Sequence, residues 1–212
     1  SYLSYMNNVQ RTIPPKKMEH LSQSKMRELL TVTIEGSNLR EAVKLPPGED
    51  INEWLALNTM DFYKQVRLLC ATFENLCTPT TCPIMKAGRY ECQWVDVNTG
   101  QRHKMGSATE YIGSVMNWIG THIDNDTIFP KKSGEPFPPN FKDIVKRISR
   151  KLFNVYAHIY RTHFLSIVDV KEEAHLNTCF QHFILFMSEY QLMVDEHCMA
   201  PLKKLVEIIL EP

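Results

Sequence analysis

Cys77 and Cys82 enclose the four residues TPTT, and His158 and His163 enclose the four residues IYRT. Two thiolates and two imidazoles make a closed tetrahedral donor set for Zn2+, and gaps of this size occur within structural zinc sites. The two pairs stand 75 residues apart, unlike the compact spacing of a zinc finger. The same residues would equally serve as two loop thiols and two histidines packed in a polar core. Hydrolytic metal chemistry needs three protein ligands, an open vertex and a carboxylate base. No H-E-x-x-H string occurs, and the one acid and histidine cluster, Glu172 and Glu173 beside His175, is already explained by a helix start.

The elements that must position these residues are helices. Ile51, Leu55, Phe62, Val66, Leu69 and Phe73 fall on one stripe and predict a core helix over 51–73 that ends just before the cysteine loop. Asp50 followed by Glu53 has the form of a capping box at its start, after the breakers Pro46, Pro47 and Gly48. Ser107 and Glu110 repeat the device before a second helix carrying Tyr111, Val115, Trp118 and Ile119. A third, long helix begins after Asn140 with Phe141, Ile144, Val145, Ile148, Leu152, Val155, Tyr156 and Ile159 inward, and carries the histidines at the centre of the fold. Positions five apart on an ideal helix diverge by roughly 140°, so this helix must distort or end near His163. A fourth helix follows Asp169, which pairs with Glu172 as a further cap, and buries Leu176, Phe180, Phe183, Ile184 and Met187; a last one covers Leu202 to Leu210. Between the first two core helices, RYECQWVDVNTGQRHKM predicts a small β-hairpin turning at Asn98 to Gly100. The Pro- and Gly-rich stretch from Phe129 to Asn140 predicts a structured loop.

Length and composition set the frame. A chain of 212 residues with 43% hydrophobic content buries a core as one domain without disulfides, and the six cysteines are irregularly spaced. The 24 basic and 24 acidic residues balance, so no global field argues for nucleic acid or a membrane surface. No apolar run approaches the roughly 20 residues of a membrane span, and SYLSYMNN lacks the form of a signal peptide. The expectation is a cytoplasmic or nuclear protein. No heptad pattern argues for a coiled coil, so a monomer is expected. The first fifteen residues, ending at Pro14 and Pro15, read as an arm.

Two surface faces remain. On a helical wheel Asp50, Trp54, Leu57 and Asp61 group on the order of 90–150° from the core stripe. With Glu49 and Glu53 nearby, no Lys or Arg lies between Lys44 and Lys64 to neutralise them. Such a face suits a basic helix, with Trp54 and Leu57 as anchors and the carboxylates steering; it also suits a capped helix start with its Trp covered by the arm. In KRISRK, Arg147, Arg150 and Lys151 share a face of the long helix, a pattern that holds a phosphate or is merely solvated.

The strings GSNLREAVKLPPGEDINEWLALNTMDFY, CTPTTCPIMKAG, TIFPKKSGEPFPPNF, KLFNVYAHIYRTHF and EEAHLNTCFQHFILFMSEY resemble, in order, the Mob (Mps one binder) family. The resemblance covers nearly the whole chain after about residue 30. It implies an all-α helical bundle with a small β-hairpin and a structural zinc site, residues 1–30 being an N-terminal arm with the start of the first helix and 31–212 a single Mob domain. The family's zinc ligands fall on Cys77, Cys82, His158 and His163. The resemblance further implies a non-catalytic coactivator that grips the basic segment N-terminal to NDR/LATS-type Ser/Thr kinase domains, in Hippo or mitotic-exit type signalling, through positions matching Glu49, Glu53, Trp54 and Asp61. Some members bind phosphothreonine motifs of an upstream Ste20-type kinase through three basic residues, whose places here are Arg150, Lys151 and Asn154. With Asn154 uncharged, one charge-assisted contact is missing, and a phosphothreonine-peptide scaffold without kinase activation stands as the alternative function. Thr12 and Thr33 match places where members are phosphorylated.

Overall fold

The computed structural model describes residues 23–33, 38–96, 98–103, 105–193 and 195–212. Thr12 lies outside them. Helix α5 (Phe141–His158) sits in the middle of a bundle, packed against α3 (Ile51–Phe73) and α4 (Ala108–Ile123). Helix α7 (Glu173–Glu189) packs on α3 and receives α1 (Gln23–Leu30), α2 (Leu39–Ala42) and α9 (Lys203–Leu210). Short helices α6 (Phe164–Asp169) and α8 (Glu196–Met199) complete the set, with one 3-10 turn over Ala200–Leu202.

The hydrophobic stripes land where the periodicity put them. Every apolar position named on α5 is buried, as are Leu176, Phe180, Phe183, Ile184 and Met187 of α7, each such side chain gaining roughly 1.5–3 kcal/mol from burial. On α3 the stripe from Leu55 to Phe73 is buried, but Ile51 is 41% exposed, because the first turn overhangs the core. Asp50 caps α3 by accepting from the amides of Asn52 and Glu53, at 2.8 and 3.0 Å. The full reciprocal box forms only at Ser107 and Glu110.

Two expectations are corrected. Asp169 does not cap α7: it ends α6, Lys171 turns the chain at φ 61°, and Glu172 makes no side-chain cap. The single hairpin is two, β1 (Lys86–Ala87) with β2 (Tyr90–Glu91) and β3 (Trp94–Val95) with β4 (Arg102–His103). Two-residue strands fall below what alternation can register. The loop from Phe129 is structured as expected, Phe129 and Phe137 closing on Phe141 at 5.2 and 4.6 Å between ring centroids.

Candidate metal centre and docking faces

Cys77 follows the end of α3, its amide donating to Phe73 O, and the Thr81 hydroxyl closes the loop onto Leu76 O. Cys82 is fixed by its amide bond to Thr78 O, and its carbonyl accepts from Ala108, the first residue of α4. His158 ends α5, and the next five residues, Ile159–His163, form a π-helical turn. Its hydrogen bonds run i to i+5, so a residue five on comes round to nearly the same side. The conflict between a five-residue spacing and one helix face is resolved by widening the helix at that point.

The result is one cluster. The ligand atoms of Cys77, Cys82, His158 and His163 all lie within 4.8 Å of one another, and all four residues are buried. Cys77 Sγ stands 3.4 Å from His158 Nε2, Cys82 Sγ 3.5 Å from His163 Nε2, and the two Nε2 atoms are 3.2 Å apart. A regular tetrahedron with Zn–S of about 2.3 Å and Zn–N of about 2.0 Å has S···N edges of about 3.5 Å and an N···N edge of about 3.3 Å. The donor set fits a zinc ion by size as well as by type, and four protein donors leave no vertex for a substrate water. His158 Nδ1 lies 2.7 Å from Lys86 O, so it carries the proton and leaves the Nε2 lone pair free toward the cluster. The His163 ring stacks on Phe73 at 5.5 Å. Within the coupled thiol pair, the hydrogen bond from Cys77, helped by His158 and His163, pulls the Cys82 thiol far down while Cys77 is pushed up. One of the two is therefore ready to be a thiolate.

The acidic face is real, but its tryptophan is not free. Glu49, Asp50, Glu53 and Asp61 are exposed and Leu57 is 49% exposed. Trp54 is half-buried instead of standing out as an anchor. Its indole N–H donates to Tyr190 Oη at 2.9 Å and to Val43 O at 3.2 Å, and the Tyr190 hydroxyl also donates to Val43 O. It staples α2 and α7 to α3 and presents only a remaining edge. His182 of α7 joins this face, its ring edge-on to Phe62 at 5.0 Å and within electrostatic reach of Asp61. Nothing local in the sequence reveals Val43, Tyr190 or His182 as parts of it.

The basic face is not assembled as a phosphate cradle. Arg150 reaches Asp195 at 3.7 Å, and Asn154 Nδ2 donates to Tyr111 Oη at 3.2 Å. The Lys151 ammonium sits over the Trp94 ring at 3.6 Å and near that of Trp118 at 5.0 Å. Burial, with Arg150 adding, lowers its pKa to about 8, while the indole faces favour the charged form. Thr33 is half-buried, next to Val32, whose carbonyl accepts from Asn177.

The sequence profile of the Mob1/phocein family matches residues 31–202. The chain belongs to the Mob1/phocein family. It is 58% identical over 210 residues to MOB kinase activator-like 2A of Arabidopsis thaliana, covering 99% of this chain and 97% of that one. It is 50% identical over 206 residues to MOB kinase activator-like 1A of the same plant, covering 96% and 95%. It is 46% identical over 204 residues to MOB kinase activator-like 1 homolog A of Dictyostelium discoideum, covering 95% of each. This Mob1/phocein chain is a mostly helical bundle with a buried Cys2His2 cluster, and its relatives' names support an adaptor that activates a kinase.

Proposed function

We propose that the chain is a non-catalytic adaptor that binds the basic N-terminal regulatory segment of an NDR/LATS-type Ser/Thr kinase and promotes its activation. The observation that carries this is the exposed acidic face of α3, where Glu49, Asp50, Glu53 and Asp61 surround an exposed Leu57 with no basic residue among them. Carboxylates around an apolar centre steer and orient an Arg- and Lys-rich helix. Ordering that kinase segment favours the active conformation by differential binding, without chemistry on the adaptor. Zn2+ held by Cys77, Cys82, His158 and His163 ties the loop after α3 to the end of α5, which fixes the helix that carries the docking face. The setting is cytoplasmic or nuclear, in Hippo or mitotic-exit type control of division.

The test is binding of the purified chain to a basic NDR/LATS N-terminal segment, comparing wild type with the double reversal Glu53→Lys, Asp61→Lys. Salt-sensitive binding that falls at least about a hundredfold on reversal, of the order of two charge contacts, is expected in variants with unchanged circular dichroism. Binding indifferent to the reversal sinks the reading.

A further inference from the structure

Helix α3 has a flank that neither the core nor the acidic face uses. Tyr63, Arg67, Cys70, Ala71 and Glu74 recur along it at helical spacing and line one wall of an open groove of about 590 Å3. Helix α4 forms the other wall, antiparallel to α3: a Cβ at Gly120 would meet Tyr63 Oη at 3.0 Å, and at the other end the Thr109 hydroxyl donates to Cys77 O. Phe73, Ile112 and Met116 give the groove an apolar lining.

Gly113 marks this space as kept open. Most described glycines have a reason inside the fold. Gly48, Gly100 and Gly134 take positive φ, and a side chain at Gly106 would strike the Glu110 carboxylate. Gly113 has ordinary helical backbone, and a Cβ there would meet nothing within 4 Å. A mid-helix glycine weakens its helix relative to alanine, so the fold loses by it and gains no room it needs. A body lying close against the α4 backbone does need that room.

We propose that the groove receives an amphipathic helix of a partner protein, presenting a carboxylate to Arg67 and a basic residue toward each of Glu74 and Asp124. The wall from Tyr63 to Glu74 runs about 17 Å at 1.5 Å per residue, the length of three helical turns. The rim charges set the partner's pattern: Arg67 lies between Glu74 and Asp124, all three are exposed, and none makes an ion pair among the described residues. Lys131 pairs with Asp126 and only leans on Asp124. Around α3 this flank lies about 140° from the acidic face, so both are occupied together, and the assignment does not depend on the kinase reading.

The test is a display selection of helix-forming peptides of about 14 residues against the full chain, followed by fluorescence anisotropy on wild type and variants. Recovered peptides are expected to carry an acidic residue flanked by basic ones and to lose at least about tenfold in affinity on G113W and on A71W, which obstruct the groove from either wall. R67E is expected to abolish binding, and exchanging the peptide's acidic residue for arginine to restore it. G113A is expected to raise Tm by about 2–4 °C; a fall would show that the fold itself requires this glycine and would overturn the argument. Peptides that bind G113W, A71W and R67E like wild type occupy another face and overturn it too. So does a selection that recovers none, with only small apolar molecules excluded by G113W, which would make the groove a small-molecule site.

Discussion

Removing zinc from the Cys2His2 cluster is expected to lower Tm by about 8–16 °C. A ligand that binds only the folded chain stabilises it by roughly 4 kcal/mol at a free concentration a thousandfold above Kd. A chain of this size shifts about 2–4 °C per kcal/mol. The folded donors already stand at the tetrahedral spacing, with S···N distances of 3.4 and 3.5 Å and His158 oriented by Lys86 O, so little of that energy is spent in rearrangement. The assay begins with metal content, expected at one zinc per chain by mass spectrometry. Protein unfolded in chelator and refolded without metal is then compared by calorimetry with the same sample after Zn2+ is restored. Cys77→Ser with Cys82→Ser should bind no zinc and melt with the metal-free wild type. A metal-free Tm unmoved by added Zn2+, or a double serine variant that still holds zinc, would refute the reasoning.

Asn177 is fully buried, donating to Leu29 O and Val32 O at 2.8 and 2.9 Å and accepting from the Tyr160 hydroxyl at 2.9 Å. Asn177→Leu removes three hydrogen bonds at roughly 1 kcal/mol each, so urea unfolding should show a loss of about 3 kcal/mol with proteolysis easier before residue 33; a loss under about 1 kcal/mol argues that these groups find water instead. Lys151 titrates from about 8 in the fold against about 10.4 in the unfolded chain. The unfolded state then holds more protons between those values, and the lysine's contribution to stability rises with pH across that window. Indole emission should titrate below the ordinary lysine range, and Lys151→Met should abolish the step; a step that survives the substitution belongs to another group.

The sequence discloses what repeats and hides what happens once. Stripes on α5 and α7 extend over many residues, so period alone located their buried faces. The cluster was legible as two spaced pairs, and the five-residue interval between His158 and His163 even announced a distortion. Its form, a π turn, was not legible, because it answers to atoms across the fold. Trp54 shows the same limit: its place on the wheel was right, yet its partners Val43 and Tyr190 lie 11 and 136 residues away, and they turn an anchor into a staple. Lys151 was read as a solvated or phosphate-holding cation because Trp94 and Trp118, on other elements, give no local signal. At Asp169 and Glu172 the capping spacing was present, but a left-handed Lys171 had already ended one helix before the next began.

The π turn at Ile159–His163 also constrains how this stretch of chain can vary in length. Deleting any one residue of it would let the helix close up as an ordinary α-helix, a gain for its backbone. The imidazoles would then lie four apart and still face one way, while α6 and everything after it would be rotated by about 100° and carried back along the axis. Helix α7, which closes the acidic face through Tyr190 and holds the start of the described chain through Asn177, would arrive in the wrong place. A segment that looks like uninterrupted helix is thus intolerant of single-residue deletion for the sake of contacts made far beyond it.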